Sequence, residues 1–295
     1  MRPHTIDRRG VVSALIAFAI WGLSPLFFKA MVRFGALEVV AHRVLWSALL
    51  LAPWIGMRQG FGEVARVLRE PRLLALLVLT TVLATSNWLV YVWAVMSGHA
   101  VDASLGYFIN PLLNIAFGAI FLHERLRPAQ KAAVGLACIG VILRIVAVGN
   151  LPWVALTLAV TFAFYGLLRK RAPIDATNGL FIETLVALPV AAAFLIWLAS
   201  DGALVAAQVS PAWWPMLPLA GLITAIPLAL FSEGARRLPL SVLGLLQYTS
   251  PTLVFLIAVL VFREPFGASQ LVSFAFIWLG LAVFTWDIRR PARPV

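Results

Sequence analysis

Long apolar runs separated by short polar breaks make up most of this chain. Ten runs reach the length that a membrane-spanning helix needs, about 20 mostly apolar residues. They are predicted at residues 11–32, 37–57, 73–97, 100–122, 128–148, 152–170, 177–198, 212–235, 240–262 and 268–287. Because the strands of a β-barrel would alternate in polarity over about ten residues, the pattern predicts an all-α, polytopic membrane protein of ten transmembrane helices.

Composition supports a membrane location. Hydrophobic residues make up 62% of the 295 residues and charged residues only 12%, whereas soluble domains carry about 25% charged residues. So few charged side chains cannot form the water-exposed surface of a soluble protein of this size. The exterior of the protein must therefore face lipid. The net charge of +11 does not indicate nucleic-acid binding, because the basic residues lie in short clusters between the apolar runs. With a single cysteine, Cys138, the chain cannot form an intrachain disulfide.

The basic clusters predict how the chain lies in the bilayer. With the N-terminus inside, 18 of the 23 Lys and Arg residues fall on the cytoplasmic side, four on the opposite side, and Arg43 in mid-span. Cytoplasmic loops of membrane proteins carry such an excess. The bias predicts a multi-pass protein of a bacterial inner membrane with both termini in the cytoplasm. The unbroken first run predicts a retained helix rather than a cleaved signal peptide.

The two halves of the chain resemble each other at a shift of 140 residues. The shift aligns, without a gap, Pro111 with Pro251, Glu124 with Glu264, Gln130 with Gln270, and Gly140 with Gly280. Each half contains five predicted spans, and an odd number places the second copy upside down in the bilayer. The sequence therefore predicts two inverted five-helix repeats, residues 1–148 and 149–295, an architecture typical of secondary transporters.

Five short motifs carry a resemblance to a known family. They are WGLSP at 21–25 with Lys29, AHRVLWS at 41–47, GYFINPL at 106–112, YGLLRK at 165–170 and QYTSPT at 247–252. With them the chain resembles the EamA branch of the drug/metabolite transporter superfamily, and more closely its RarD subgroup, over nearly its whole length. The resemblance implies a ten-helix inner-membrane permease with a central cavity.

The expected function is transport of a small organic metabolite or drug by alternating access. No nucleotide-binding, metal-ligand or nucleophile motif is present, so we expect no cofactor and no metal. The driving force stays open between an ion gradient such as protons, exchange, and the solute's own gradient. The alternatives are an integral membrane enzyme, and a channel or partner subunit without transport activity. We expect a functional monomer whose partners are the organic substrate and the lipid bilayer.

Arg43 and Glu183 are the clearest candidates for function. An ionisable group at the centre of a span costs about 2.5–3.5 kcal/mol or more, so each needs a reason. The 140-residue shift aligns the two. Arg43 therefore either pairs with Glu183 or binds an anionic group of the substrate; alternatively, both hold helices together by local hydrogen bonds. Glu183 and His42 are candidates for proton coupling, although a contact with Glu38 one helical turn earlier can also satisfy His42.

One face of the fourth span carries polar side chains. Tyr107, Asn110 and Asn114 recur at spacings of three and four, which puts them on one side of a helix. Amides and a phenol are unfavourable against lipid, so we expect this face to look inward, either to line a cavity or to bind neighbouring helices. The complete candidate substrate-binding set is Trp21, Lys29, Arg43, Asn87, Trp88, Tyr91, Tyr107, Asn110, Asn114, Tyr165, Glu183 and Gln247.

The alternatives for the remaining members stay open. Trp21 and Tyr165 either form walls for an organic solute or pack between helices, and Lys29 either attracts anions or extends to the membrane surface. Pro111 and its mate Pro251 are predicted hinges, because proline frees a carbonyl and bends a helix. Glu124 and Glu264 are interpreted as capping or interfacial charges.

Overall fold

The computed structural model describes residues 7–58, 60–121, 123, 126–238, 242–243 and 246–289. Helices account for nearly all of them. Their bounds are α1 Arg8–Ala30, α2 Gly35–Met57, α3 Phe61–Leu68, α4 Pro71–Met96, α5 Ala100–Phe121, α6 Pro128–Val148, α7 Trp153–Arg171, α8 Ala176–Ser200, α9 Val205–Gln208, α10 Met216–Arg237, α11 Thr249–Leu256 and α12 Ala268–Arg289. Within the described ranges, nine helices are long and apolar enough to cross a membrane, and a tenth apolar helix, Thr249–Val261, is shorter.

Local chemistry explains where several helices begin and end. The side chains of Asp7 and Asp175 accept hydrogen bonds from backbone amides in the first turns of α1 and α8, as residues before a helix commonly do. Pro71 and Pro128 begin α4 and α6, where the missing N–H of proline costs nothing. Gly149 ends α6 in the left-handed conformation, with φ of 73°, which glycine adopts without strain.

Two short helices were not predicted. Helix α3 buries Val64 and Val67 against α4 and α8, so its apolar stripe lies along one end of the bundle instead of crossing the bilayer. Helix α9 contains four residues and lies between α8 and α10. Both are too short to give an apolar run of spanning length, which is why the sequence pattern did not separate them from the loops.

The ninth span differs from the continuous helix predicted at 240–262. Gln247 and Tyr248 form a turn, α11 begins at Thr249, and residues Ile257–Val261 form a π-helical turn. Pro251 lies in the first turn of α11. Proline lacks the N–H that would bond back to the carbonyl of residue 247 and its ring clashes with that carbonyl. The helix therefore restarts just before the proline instead of running through it.

Helix packing follows a pseudo-two-fold pattern. Helix α1 packs against α10 and α11, and its counterpart α7 packs against α4 and α5. Helix α2 packs against α10, and its counterpart α8 packs against α4. The pairs α2–α8, α5–α11 and α6–α12 each join a helix with its own counterpart. Exchanging the two halves leaves this set of contacts unchanged, as two inverted five-helix repeats require.

Single residues repeat the symmetry at the α6–α12 crossing. A Cβ atom added to Gly140 would lie 2.8 Å from the carbonyl oxygen of Ser273, and one added to Gly280 would lie 2.8 Å from that of Ala133. The side-chain oxygens of Gln130 and Gln270 each accept a backbone N–H from three residues earlier, at 3.0 and 2.9 Å. Each pair of equivalent residues thus makes equivalent contacts, and the glycines let the two helices touch backbone to backbone.

The connections define two ends of the bundle. We call the end with the α1–α2, α4–α5, α6–α7, α8–α10 and α11–α12 connections the predicted outer end, and the other the predicted inner end. At the predicted outer end, the carboxylate of Glu264 accepts hydrogen bonds from the amides of Ala100 and Val101, at 2.9 and 2.8 Å. Glu264 therefore caps α5, as predicted; Glu124 lies outside the described residues.

At the predicted inner end, an ion pair joins the two halves. The guanidinium of Arg237 at the end of α10 donates a hydrogen bond to Asp7 before α1, at 3.1 Å. This hydrogen bond, with the backbone bond from Arg9, holds the pKa of Asp7 below its ordinary value. Because both groups are exposed to solvent, the pair positions the ends of α1 and α10 rather than contributing much stability.

Candidate substrate site

Arg43 occupies a buried position where the two halves meet. Its side chain extends from α2, and only 7% of the residue is exposed. The Nε–H donates to the hydroxyl of Thr224 on α10, at 2.6 Å. The guanidinium carbon lies 4.1 Å from the ring centroid of Trp88 on α4, a distance at which a cation is attracted to the aromatic face. One residue thus contacts two helices that belong to different repeats.

Glu183 is the other buried charge at the centre of the protein. From α8 its carboxylate accepts hydrogen bonds from the hydroxyls of Thr80, at 2.7 Å, and Tyr165, at 3.2 Å. The Nε of Arg169 lies 3.7 Å from Oε1 of Glu183. Glu183 is 2% exposed, so this set of partners compensates a charge that would otherwise be costly in the membrane.

The prediction that Arg43 pairs with Glu183 is wrong. No contact within 4.0 Å joins these two described side chains; each binds the partners given above. The two residues are equivalent under the inverted repeat, and each lies in the first half of its own helix. Since α2 and α8 cross the bilayer in opposite directions, equivalent positions lie on opposite sides of the midplane. At 1.5 Å per residue the separation along the membrane normal is roughly 12 Å.

A hydrogen-bonded network lies around Asn87, the residue before Trp88 on α4. The Asn87 amide donates to the carbonyl of Leu158 and to the hydroxyl of Thr161, both at 2.9 Å, and it accepts from the Tyr107 hydroxyl at 3.2 Å. These bonds join α4, α5 and α7. The Tyr91 hydroxyl lies 3.0 Å from the hydroxyl of Ser24 on α1. Ser24 was not among the predicted substrate-binding residues. All groups in this network are neutral, and the Tyr91 and Tyr107 phenols lie within electrostatic range of the Arg43 guanidinium.

Five aromatic rings form a continuous column through the protein. Successive ring centroids lie 5.6 to 6.2 Å apart along the order Phe28, Tyr91, Tyr107, Phe162 and Tyr165. These spacings fall in the range of favourable edge-to-face and tilted aromatic pairs. The aromatic column, as we name this set, begins on α1 and ends at the hydrogen bond between Tyr165 and Glu183. It thus extends from the packed surroundings of Tyr91 to the carboxylate of Glu183.

Other predicted residues lie apart from Arg43. Trp21 packs with Phe18 and Phe231 in a separate apolar cluster. Lys29 donates to the carbonyl of Met96, at 3.3 Å, near the predicted outer end. Gln247 lies in the turn before α11.

The polar face of α5 is only partly buried. Tyr107 is half-buried and Asn110 is buried, with the side-chain oxygen of Asn110 lacking a hydrogen-bond partner among the described residues. Asn114 is exposed, and its side-chain oxygen would lie 3.9 Å from a Cβ atom added to Gly166, so it faces the neighbouring helix α7. Along this face, burial is thus greatest at Asn110 and least at Asn114.

His42 makes a weaker contact than expected. Its Nε2 lies 3.8 Å from the Glu38 carboxylate one helical turn earlier, too far for a hydrogen bond. Glu38 instead accepts hydrogen bonds from the amides of Val205 and Ala206. Both ring nitrogens of His42 lack a hydrogen-bond partner within the described part of the chain.

Sequence reasoning missed the threonine hydroxyls that bind Arg43, Glu183 and Asn87. Thr80, Thr161 and Thr224 lie in apolar runs, where threonine usually bonds to its own helix and gives no separate signal. Arg169 was counted within a basic cluster of the predicted cytoplasmic side, yet it reaches into the bundle toward Glu183. The predicted hinge Pro111 lies buried within α5, which continues through it.

Two apolar recesses lie elsewhere on the protein. One, of about 340 Å³, is lined by residues of α5, α11 and α12, including Phe108 and Tyr248. The other, of about 400 Å³, lies near α9 and includes Trp46 and Trp214. Neither includes a charged side chain. They therefore lack the groups that would orient a polar solute.

The fold and this polar centre define a class: a multi-pass membrane protein of two inverted five-helix repeats with buried charges at the junction. The chain belongs to the EamA-like transporter family, whose sequence profile matches residues 8–146 and again residues 152–286. It is therefore a membrane transporter of small molecules.

Relatives from several bacteria share nearly its whole length. The chain is 46% identical to an "Uncharacterized transporter" of Vibrio cholerae, over 97% of this chain and 95% of the relative. It is 45% identical to "Protein RarD" of Salmonella typhi, over 95% of each chain. It is 35% identical to "Chloramphenicol-sensitive protein RarD" of Pseudomonas aeruginosa, over 98% and 97%. These relatives support a RarD-type protein of the bacterial plasma membrane.

One solved crystal structure has a similar fold. It aligns with 96% of this chain and 99% of its own, with a TM-score of 0.59 at 20% sequence identity. At this identity the similarity concerns the fold alone.

Proposed function

We propose that the protein is a secondary carrier that moves a small organic metabolite or drug across the bacterial plasma membrane by alternating access. Arg43 is the observation that supports this most. Its guanidinium is buried between α4 of one repeat and α10 of the other. A relative movement of the repeats must therefore change the surroundings of this charge, which is the requirement for a site that opens to each side in turn.

Proton coupling is part of the proposal, with Glu183 as the coupling residue. A carboxylate held by two hydroxyls and one guanidinium can exchange those partners for a proton when the helices around it move. In this proposal the aromatic column transmits movements at the solute site to Glu183, because its last ring, Tyr165, donates a hydrogen bond to that carboxylate. His42 is the second candidate, because both its ring nitrogens lack hydrogen-bond partners among the described residues.

Flux into proteoliposomes tests the carrier function. Purified protein is reconstituted, and uptake of a panel of radiolabelled metabolites and chloramphenicol is measured for wild type and Arg43→Ala, with and without a pH gradient. We expect saturable uptake of at least one compound by wild type and loss of that uptake in Arg43→Ala. Absence of uptake of every compound by folded wild-type protein would instead favour a channel, partner or enzyme.

A matched variant separates a role in the site from a general effect of losing an arginine. Arg33 also stacks on a tryptophan, Trp213, at the same 4.1 Å, but it is exposed at the predicted outer end. Arg33→Ala is expected to transport like wild type. Equal losses in both variants would contradict a site at Arg43.

Glu183→Gln tests the coupling. Glutamine keeps the shape of the side chain, and its single oxygen can accept one of the two hydroxyl hydrogen bonds that Thr80 and Tyr165 donate to Glu183, but it cannot exchange a proton. We expect solute-for-solute exchange to continue while stimulation by the pH gradient disappears. If the gradient still stimulates uptake by Glu183→Gln, the coupling role of Glu183 is wrong and His42→Gln is the variant to compare.

A further inference from the structure

We infer that the solute is an organic monocarboxylate, bound as its anion by the terminal edge of the Arg43 guanidinium. This inference rests on the proposed carrier function and assigns the chemical class of its substrate. An ionised group inside the membrane needs a partner of opposite charge or strong hydrogen bonds. The partners of the buried charges therefore indicate which of them is left for a ligand.

The acidic side chains within the described spanning helices, and that of Glu264 at the start of α5, are already engaged. Two of them, Glu38 and Glu264, accept pairs of backbone N–H bonds. The others lie within 4.0 Å of an arginine: Asp102 of Arg144, Glu183 of Arg169, Glu233 of Arg236 and Arg237, and Asp287 of Arg127. None of them lies within that distance of Arg43.

Arg43 consequently differs from the other basic residues buried in these helices. Arg144 and Arg169 each face a carboxylate, and Lys29 binds a backbone carbonyl near one end of α1. The partners of Arg43 are a threonine hydroxyl and an aromatic face, and neither carries a full negative charge. A transport site for an anion contains such a cation, without a negatively charged partner, whenever the anion is not bound.

The geometry around Arg43 leaves one edge of the guanidinium for a ligand. Thr224 takes the hydrogen of Nε, and Trp88 covers one face of the plane. The two terminal nitrogens make no hydrogen bond within the described part of the chain. They point two parallel N–H groups in one direction, the arrangement that binds both oxygens of a carboxylate. Thr224 and Trp88 thus hold the guanidinium in place and leave its two terminal N–H groups to the ligand.

The surroundings favour one negative charge rather than two. Besides Thr224, the polar groups of this region are the phenols of Tyr91 and Tyr107 and the amide of Asn87, and each already has a hydrogen-bond partner. A second carboxylate would be buried among these neutral groups without a cation, at a high desolvation cost. Tyr91 and Tyr107 also belong to the aromatic column, whose rings provide an apolar surface for the rest of the solute.

Acid and amide pairs test the assignment, because an amide keeps the shape of the acid but carries no charge. The probes are benzoate and benzamide, phenylacetate and phenylacetamide, and indole-3-acetate and indole-3-acetamide. Thermal unfolding of the detergent-purified protein is measured with each probe. We expect at least one acid, and not its amide, to raise the unfolding temperature of wild type, since a ligand that binds the folded state stabilises it.

Variants link the effect to the guanidinium. In Arg43→Gln the dissociation constant of the acid is expected to rise roughly 30-fold or more, because one partner of a buried charge pair is lost. Arg43→Lys keeps the charge without the fork and is expected to give an intermediate value. Arg33→Gln, at the exposed arginine stacked on Trp213, is the matched control and is expected to bind like wild type.

The results distinguish this inference from the carrier function on which it rests. Equal stabilisation by acid and amide, no stabilisation by any acid, or full stabilisation in Arg43→Gln would overturn the carboxylate assignment. The best-binding acid is then offered as a radiolabelled solute to proteoliposomes. If it binds wild type in an Arg43-dependent manner but is not transported, the carboxylate site stands and the carrier proposal fails. If amides are transported as well as acids, the carrier proposal stands and the assignment fails.

Discussion

At the scale of single residues, a threonine from a neighbouring helix binds each of the two charges Arg43 and Glu183. Thr224 of α10 binds Arg43, and Thr80 of α4 binds Glu183. Helices α10 and α4 are equivalent under the repeat, so the two charges are held in the same manner on opposite sides of the midplane. Hydrogen bonds to a charged group are worth more than neutral ones, which makes these hydroxyls important for the site.

Thr224→Val tests the support of Arg43. Valine has nearly the same shape but cannot accept the Nε–H bond, and a buried unsatisfied donor costs about 1–3 kcal/mol or more when it is charged. We expect a lower free energy of unfolding, by about that amount, in thermal unfolding of the purified protein. The matched control is Thr184→Val, because the buried Thr184 hydroxyl bonds only to the Leu180 carbonyl of its own helix. Equal effects of both variants would contradict a special role for Thr224.

The charges could be predicted from the sequence at this scale, but their partners could not. Arg43 and Glu183 are conspicuous because charges are rare in apolar runs. Their separation depends on how far each lies from the bilayer midplane, and alignment of the repeats alone does not give this distance. Threonine is equally common as a partner of its own helix, so nothing in the sequence distinguishes Thr224 from Thr184.

At the scale of helices, the apolar pattern predicted nine of the ten spans. Most of their predicted ends lie within a few residues of the observed helix ends. The ninth differed, since the effect of Pro251 on its helix depends on packing: Pro111, its equivalent, lies inside the continuous α5. Short helices such as α3 also escaped prediction, because eight residues give no spanning run. The sequence thus predicts the elements that cross the bilayer better than their interruptions.

The α6–α12 crossing gives a prediction with an internal control. Alanine at Gly140 or at Gly280 would place a methyl group 2.8 Å from a backbone oxygen of the opposite helix. Overpacking of this kind costs about 1–3 kcal/mol, and the symmetry predicts similar costs for both variants in thermal unfolding. Gly135 of α6 has no atom within 4 Å of its added Cβ, so Gly135→Ala should be neutral or stabilising. Unequal costs at the two glycines would contradict equivalent packing.

The Glu264 cap gives a second prediction at this scale. Glu264→Ala removes the acceptor for the amides of Ala100 and Val101, and a carboxylate at a helix N-terminus is worth up to about 2 kcal/mol. We expect hydrogen–deuterium exchange of residues 97–105 to become about 10- to 30-fold faster. Gln270→Ala, in the same part of the chain, removes a cap of α12 and should leave this segment unchanged. Unchanged exchange in Glu264→Ala would show that the cap does not hold α5.

At the scale of the whole molecule, the charge bias predicts its orientation. Ser97 lies at the predicted outer end and Glu70 at the predicted inner end, and both are exposed. In a Cys138→Ser background, Ser97→Cys should react with a membrane-impermeant maleimide in intact cells, whereas Glu70→Cys should react only after lysis. The reverse pattern would place both termini outside. The excess of Lys and Arg residues would then lie on the outer side of the membrane.

The two repeats adopt different local structures at their equivalent prolines. Helix α5 continues through Pro111, whereas α11 restarts after the turn at Gln247 and Tyr248, just before Pro251. If alternating access exchanges the conformations of inverted repeats, the continuous helix of one state is the interrupted helix of the other. Each proline would then act as a hinge in half of the transport cycle, although only one helix is interrupted in this structure.

If the repeats exchange conformations, Pro111→Ala and Pro251→Ala should have similar effects on transport. Alanine restores a backbone N–H and favours the continuous helix, so each variant should slow flux of a transported solute into proteoliposomes by a comparable factor. Binding, measured by thermal stabilisation, should change little, because neither proline contacts the Arg43 site. A loss confined to Pro251→Ala would mean that the interruption of α11 is a fixed feature of the fold. The two repeats would then not exchange conformations, and movement between the two open states would require a different hinge.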